Sequence, residues 1–190
     1  MNQTELLQKL AEDGIRNLWP IYYDYNARAS TKTVPPARFE SVVKGGIVFA
    51  RANLDFAVNE HMPDDARWSA DTGDFLAVPD PNACYKVPYL PDTAWAMVDM
   101  MTEDGQPFEG DPRGALKRMV AAYAEKGMTL TVALEAEFAL YQKTEAGDYA
   151  PANNDSMFSV AGLNRHAELM YEIVHTLEAM GIPVEQMGKE

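Results

Sequence analysis

Apolar residues at helical spacing open the chain. Leu6, Leu7 and Leu10 share one face, Thr4 is a candidate N-cap, and Gly14 can end the helix. The stretch "IRNLWPIYYDYNARASTKTVP" then alternates apolar and polar positions around a polar "NARAS" turn, which predicts a hairpin with Pro20 at an edge or a bulge. "PPARFESVV" predicts a short helix closed by Gly45 and Gly46. The short apolar runs "IVF", "FLAVP", "YKVPYL" and "AWAMVDM" are separated by Pro, Asp and Gly, the pattern of a small mixed sheet. After about residue 102 the composition changes, which predicts a first domain over 1–103 and a second over 104–190 in an α+β chain. The second begins with a helix that has Asp111 as N-cap and Pro112 at its first position. Its Leu116, Met119, Val120 and Tyr123 form a face expected to be buried, and Gly127 ends it. A strand over 131–141, a polar loop and a second amphipathic helix follow. The stripe of that helix is Leu169, Ile173, Val174, Leu177 and Met180, with Gly181 as the cap, and "IPVEQMGKE" has the look of a further strand.

The strand "TVALEAEFALY" holds the candidate chemistry. In an extended chain Leu130, Val132, Leu134, Ala136, Phe138 and Leu140 share one apolar face. Glu135 and Glu137 lie on the other, about 7 Å apart and flanked by alanines that leave open space. Two readings stay open on this pattern. The glutamates decorate a solvated sheet face, or they hold hard cations such as Mg²⁺ or Mn²⁺, which take oxygen ligands and relieve the repulsion between the two charges.

Composition narrows the function. With 47% hydrophobic residues in 190, the chain can bury a core. A net charge of −13 argues against nucleic acid as a partner, and no apolar run is long enough to cross a bilayer. One cysteine, Cys84, and an N-terminus without signal-peptide order give a cytoplasmic expectation. Neither "GxxxxGK[ST]" nor "GxGxxG" occurs. Glu172 and His175 form an ExxH pair with no second such helix to complete a metal site, and His166 and His175 face opposite sides of a helix. Neither Cys84 nor any serine has a histidine partner in a local pattern, so no catalytic nucleophile is assigned.

The ordered pieces "GDFLAVPDP", "DGQPFEGDPRGALKR", "LEAEF" and "MGIPVEQMGKE" together resemble the N-terminal part of the glutamine synthetase family, over nearly the whole chain. The resemblance implies a small β-grasp N-terminal domain followed by the beginning of a catalytic domain with a curved antiparallel sheet. It implies Glu135, Glu137 and Glu190 as metal ligands, Mg²⁺ or Mn²⁺ as cofactor, ATP as co-substrate, and glutamate and an amine as substrates joined through a γ-glutamyl phosphate. It also implies a ring-shaped homo-oligomer in which the N-terminal domain completes a neighbour's site. Ammonia-using members carry an aspartate where this chain has Ala50 and a tyrosine where it has Met157, while Glu190, the third partner in that pocket, is kept. An apolar pair suits an organic amine better than ammonium, which favours the γ-glutamylamide synthetase branch. Ammonia-using glutamine synthetase is the alternative, with Asp55 taking the aspartate's place in a shifted alignment. A non-catalytic fragment that binds a cation or a partner is the alternative of another class. Relatives continue well past residue 190 and carry their ATP- and glutamate-binding residues there, so these residues alone are expected to be inactive. Lys189, where relatives often have histidine, has no explanation from sequence.

Overall fold

The computed structural model describes residues 1–190 and divides them into two compact units, Met1–Leu130 and Thr131–Glu190. In the first unit, helix α1 (Gln3–Glu12) is capped by Asn2, two residues before the expected Thr4. The Asn2 side chain accepts from the Glu5 amide while the Glu5 carboxylate accepts from the Asn2 amide, a reciprocal cap that Thr4 cannot make. Strands β1 (Asn17–Tyr23) and β2 (Ala29–Ser30) form the expected hairpin. Its turn is held by Asp24, whose buried carboxylate accepts from the amides of Asn26 and Arg28 and from the Arg28 guanidinium. Helix α2 (Phe39–Gly45) follows a 3-10 turn over Pro36–Arg38. It stops at Gly46, whose φ of 79° suits glycine and whose backbone lies so close to Ala77 that any side chain would crowd it.

Strands β3 (Ile47–Ala50), β4 (Asp74–Val87) and β5 (Leu90–Met101) complete a five-stranded sheet in the order β2-β1-β5-β4-β3. The runs "FLAVP" and "YKV", expected as separate elements, are two parts of β4, joined across a register shift between Pro79 and Cys84. β1 and β5 run parallel, and every other pair is antiparallel. Pro20 therefore sits inside the sheet. It is tolerated because the β1–β2 ladder covers only Tyr22 and Tyr23, with an isolated bridge at Leu18, so no cross-strand partner awaits its missing N–H on that side. A helix laid across a mixed sheet with parallel central strands is the β-grasp arrangement. Leu6 and Leu10 of α1 and Val42 and Val43 of α2 pack with Leu18, Ala94 and Ala96 beneath them. A second cluster stacks Tyr22, Phe49, Phe75, Trp68 and Phe108.

Helix α3 (Pro112–Glu125) begins as expected, with Asp111 accepting from the Arg113 amide. It belongs to the first compact unit, which runs to Leu130. The cause is a set of long-range polar contacts. The other Asp111 oxygen accepts from the buried Met100 amide, and Arg113 and Lys117 each pair with Asp80 and Asp99 on the sheet. The face expected to be buried is exposed instead: Leu116 is 59% accessible, and Met119, Val120 and Tyr123 are also open. Charge, not apolar contact, holds this helix to the sheet.

The second unit also departs from the sequence pattern. Of the strand expected over 131–141 only Tyr141 is in one, β6 (Tyr141–Lys143), which pairs with β7 (Tyr149–Pro151) in a hairpin that the polar loop concealed. Residues 131–140 join no ladder, and their apolar positions face solvent, with Leu134 94% and Val132 71% accessible. Alternation fixes which side chains share a face, but a strand also needs a partner for its N–H and C=O groups, and β7 reaches back only to Leu140, whose carbonyl accepts from Ala152. The single expected helix is two, α4 (Val160–Arg165) and α5 (Ala167–Ala179), broken at His166. Met170 and Met180 are its buried residues, while Leu169 of the expected stripe is exposed. The final segment forms no strand.

Candidate active site

Glu135 and Glu137 lie in the unpaired 131–140 segment and are exposed, as is Glu190. None of the three forms an ion pair: each ion pair of the chain joins other residues. As free oxygen donors they fit a hard divalent cation in kind. Their placement does not assemble one, since no group of three or more His, Cys, Asp or Glu able to hold a metal is formed. Cys84 is no alternative centre, because burial pushes its thiol up to about 11 and keeps it protonated.

Two of the positions that the resemblance assigns to an amine pocket are brought together. Met157, 65% accessible, precedes Phe158, whose amide donates to the Lys189 carbonyl at 2.7 Å, so Met157 and Glu190 flank one backbone hydrogen bond. Phe158 takes a positive φ of 54° to make this approach. Lys189, silent in the sequence, has a clear role here. Its ammonium donates to the Asp155 carbonyl, while Arg165 pairs with the Asp155 carboxylate at 2.9 Å and holds that carboxyl below its usual range. Ser159 caps α4 by accepting from the Gly162 amide at 3.0 Å. The loop that carries Met157 is therefore fastened at Asp155, Ser159 and Lys189.

Ala50, the third position, lies in the other unit at the end of β3, where it caps the 3-10 turn Arg51–Leu54. Arg51 next to it is locked: its amide donates to Gly73, its Nε donates to the Asp74 carbonyl at 2.9 Å, and its guanidinium lies 5.0 Å from the Phe108 ring centre. Asp55, the candidate substitute for the missing aspartate, is engaged structurally. One of its carboxylate oxygens accepts from the Trp68 amide at 2.6 Å and closes the loop over 55–68. Sequence spacing cannot reveal that bond, which joins residues thirteen apart through an irregular loop.

Residues 109–190 match the family described as glutamine synthetase, catalytic domain. Over those residues the chain is similar to the glutamine synthetase catalytic domain. Curated relatives include the gamma-glutamylpolyamine synthetase GlnA3 of Streptomyces coelicolor, 27% identical over 98% of this chain and 41% of the relative. They also include the glutamate–methylamine ligase of Methyloversatilis universalis, 28% identical over the whole chain and 42% of the relative. Among solved structures, apo GmaS superposes with a TM-score of 0.73 at 23% identity, covering 94% of this chain and 40% of that one. That likeness establishes the α+β fold of a glutamine synthetase. The chain spans about two fifths of the length of the curated relatives it matches. No helix is long and apolar enough to cross a membrane.

Proposed function

We propose that this chain is the N-terminal portion of a ligase that uses ATP to join the γ-carboxylate of glutamate to an organic amine. The reading rests on the apolar pair at the amine-pocket positions. The resemblance puts Ala50 and Met157 at positions that are polar in ammonia-using relatives, and Asp55, the aspartate that follows Ala50, spends a carboxylate oxygen on the Trp68 amide. Similarity to enzymes named for polyamine and methylamine acceptors supports it. Residues 104–190 form the catalytic portion in this proposal, and a ring of like subunits brings Ala50 to a neighbour's site. Glu135, Glu137 and Glu190 are the residues that would hold Mg²⁺, which would supply positive charge for phosphoryl transfer. The chain's own part is to position those carboxylates and to offer alkyl or aryl groups an apolar surface at Ala50 and Met157.

The test is ADP release by the complete polypeptide with Mg²⁺ and glutamate, comparing ammonium with ethylamine, aniline and putrescine. An organic amine is expected to give the highest kcat/KM, and Glu135→Ala or Glu137→Ala to abolish turnover. Preference for ammonium refutes the acceptor assignment, and normal turnover in both variants refutes the metal assignment. Ammonia use is the second reading, favoured by relatives that carry the name glutamine synthetase. Alanine-to-aspartate substitution at position 50 is expected to shift preference toward ammonium if the first reading holds.

A further inference from the structure

Phe158 is held in a conformation that its side chain does not favour. Its φ of 54° lies in the left-handed region, which glycine enters freely and in which a bulky side chain is strained. Ala27 and Glu60 are the other non-glycine residues with positive φ, so Phe158 is the one aromatic residue in that state. Such strain persists only where the surroundings enforce it. Here they do, and all within the second unit. The Phe158 amide donates to the Lys189 carbonyl at 2.7 Å, the Lys189 ammonium donates to the Asp155 carbonyl, and the Asp155 carboxylate pairs with Arg165. On the other side Ser159 caps α4.

Packing does not account for the ring. An aromatic side chain stabilises a fold by taking its large area out of water, yet this ring is 68% accessible. It lies against Gly188, where an added Cβ would stand 3.5 Å from two ring atoms. Met157 before it is exposed as well, and so is Glu190, which follows the carbonyl that holds the Phe158 amide. Two exposed apolar groups and one exposed carboxylate are thereby carried on the two chain segments that a single hydrogen bond joins. That combination suits a protonated alkylamine. A carboxylate balances the charge, the negative face of an aromatic ring attracts it, and the area of the ring accepts the carbon chain. Ammonium brings the charge but no carbon chain.

We infer that Phe158 is a specificity-determining residue for the amine acceptor, its ring held out by the strained turn so that the carbon body of the acceptor lies against it. This assignment rests on the ligase reading, which places Met157 and Glu190 at the amine pocket, and extends that pocket to a residue that the order of motifs does not single out.

Glycine at position 158 removes the ring and the strain together, which separates a role in selectivity from a role in packing. The complete polypeptide is assayed by ADP release with Mg²⁺ and glutamate, with ammonium and with ethylamine, aniline and putrescine as acceptors. In Phe158→Gly the ratio of kcat/KM for the preferred organic amine to kcat/KM for ammonium is expected to fall at least about ten-fold, while KM for ATP and for glutamate stays within about two-fold. The unfolding midpoint of this variant is expected to equal or exceed that of wild type, because glycine takes a positive φ without strain. Phe158→Tyr, which keeps the ring, is expected to stay within about three-fold of wild type in the same ratio. A wild type that prefers ammonium refutes the ligase reading and this assignment with it. A wild type that prefers an organic amine while Phe158→Gly keeps its selectivity overturns the assignment alone. So does a Phe158→Gly protein whose unfolding midpoint drops, or whose losses fall equally on ATP and glutamate.

Discussion

Asp80 feels two opposing forces. Burial pushes its carboxyl up, but hydrogen bonds from Arg113, the Asn82 amide and Lys117 outweigh burial and hold it down at about 2, from an ordinary 3.8. A native value below the unfolded one stabilises the fold fully above about pH 4, and that contribution disappears as pH falls toward about 2. Urea unfolding across this window is expected to show Asp80→Asn losing about 1 to 2 kcal/mol less than wild type. Equal losses would remove Asp80 from the account. Gly110 makes a second single-residue case, this time steric. A Cβ there would meet the Phe108 ring at 2.6 Å and the Tyr25 hydroxyl at 2.9 Å. That hydroxyl donates to the Gly110 carbonyl and accepts from the Trp68 indole, so little can yield. Gly110→Ala is expected to cost about 1 to 3 kcal/mol in chemical denaturation.

At the scale of elements, α3 depends on Asp111 twice, as its N-cap and as acceptor for the buried Met100 amide. Asp111→Ala removes a cap, worth about 1 kcal/mol, and orphans a buried donor, worth about 1 to 3 kcal/mol more. A total near 2 to 4 kcal/mol is expected in equilibrium unfolding, and a loss below 1 kcal/mol would contradict the double role. The cap was legible in "GDPRG" because capping is local. The bond to Met100 was not, and neither were the pairs from Arg113 and Lys117 to Asp80 and Asp99, because they depend on which strands the sheet brings under the helix. The same distinction explains the candidate site. The one-face pairing of Glu135 and Glu137 follows from alternation, whereas a ladder partner for 131–140 is not encoded in alternation at all. Ala50 and Met157 could be singled out from the order of motifs, while the fastening of the Met157 loop by Lys189 and the commitment of Asp55 to Trp68 depend on how the chain folds back on itself.

For the molecule as a whole, protection against hydrogen exchange should be sharply uneven. Residues 131–140 donate no backbone hydrogen bond to another backbone group, while β5 is paired on both sides, with β1 and with β4. Amides of 131–140 are expected to exchange at least about a hundred-fold faster than those of Ala94–Val98. Comparable rates would mean that the segment finds a partner in solution. The parallel pairing of β1 with β5 has its own consequence during synthesis. Asn17 leaves the ribosome 76 residues ahead of its partner Thr93, and at about 5 to 20 residues per second that is a wait of roughly 4 to 15 s. Through that interval Leu18, Trp19 and Ile21 have no central strand to join, so slowing translation between codons 24 and 90 prolongs the period in which a nascent chain is open to chaperones and to neighbouring nascent chains.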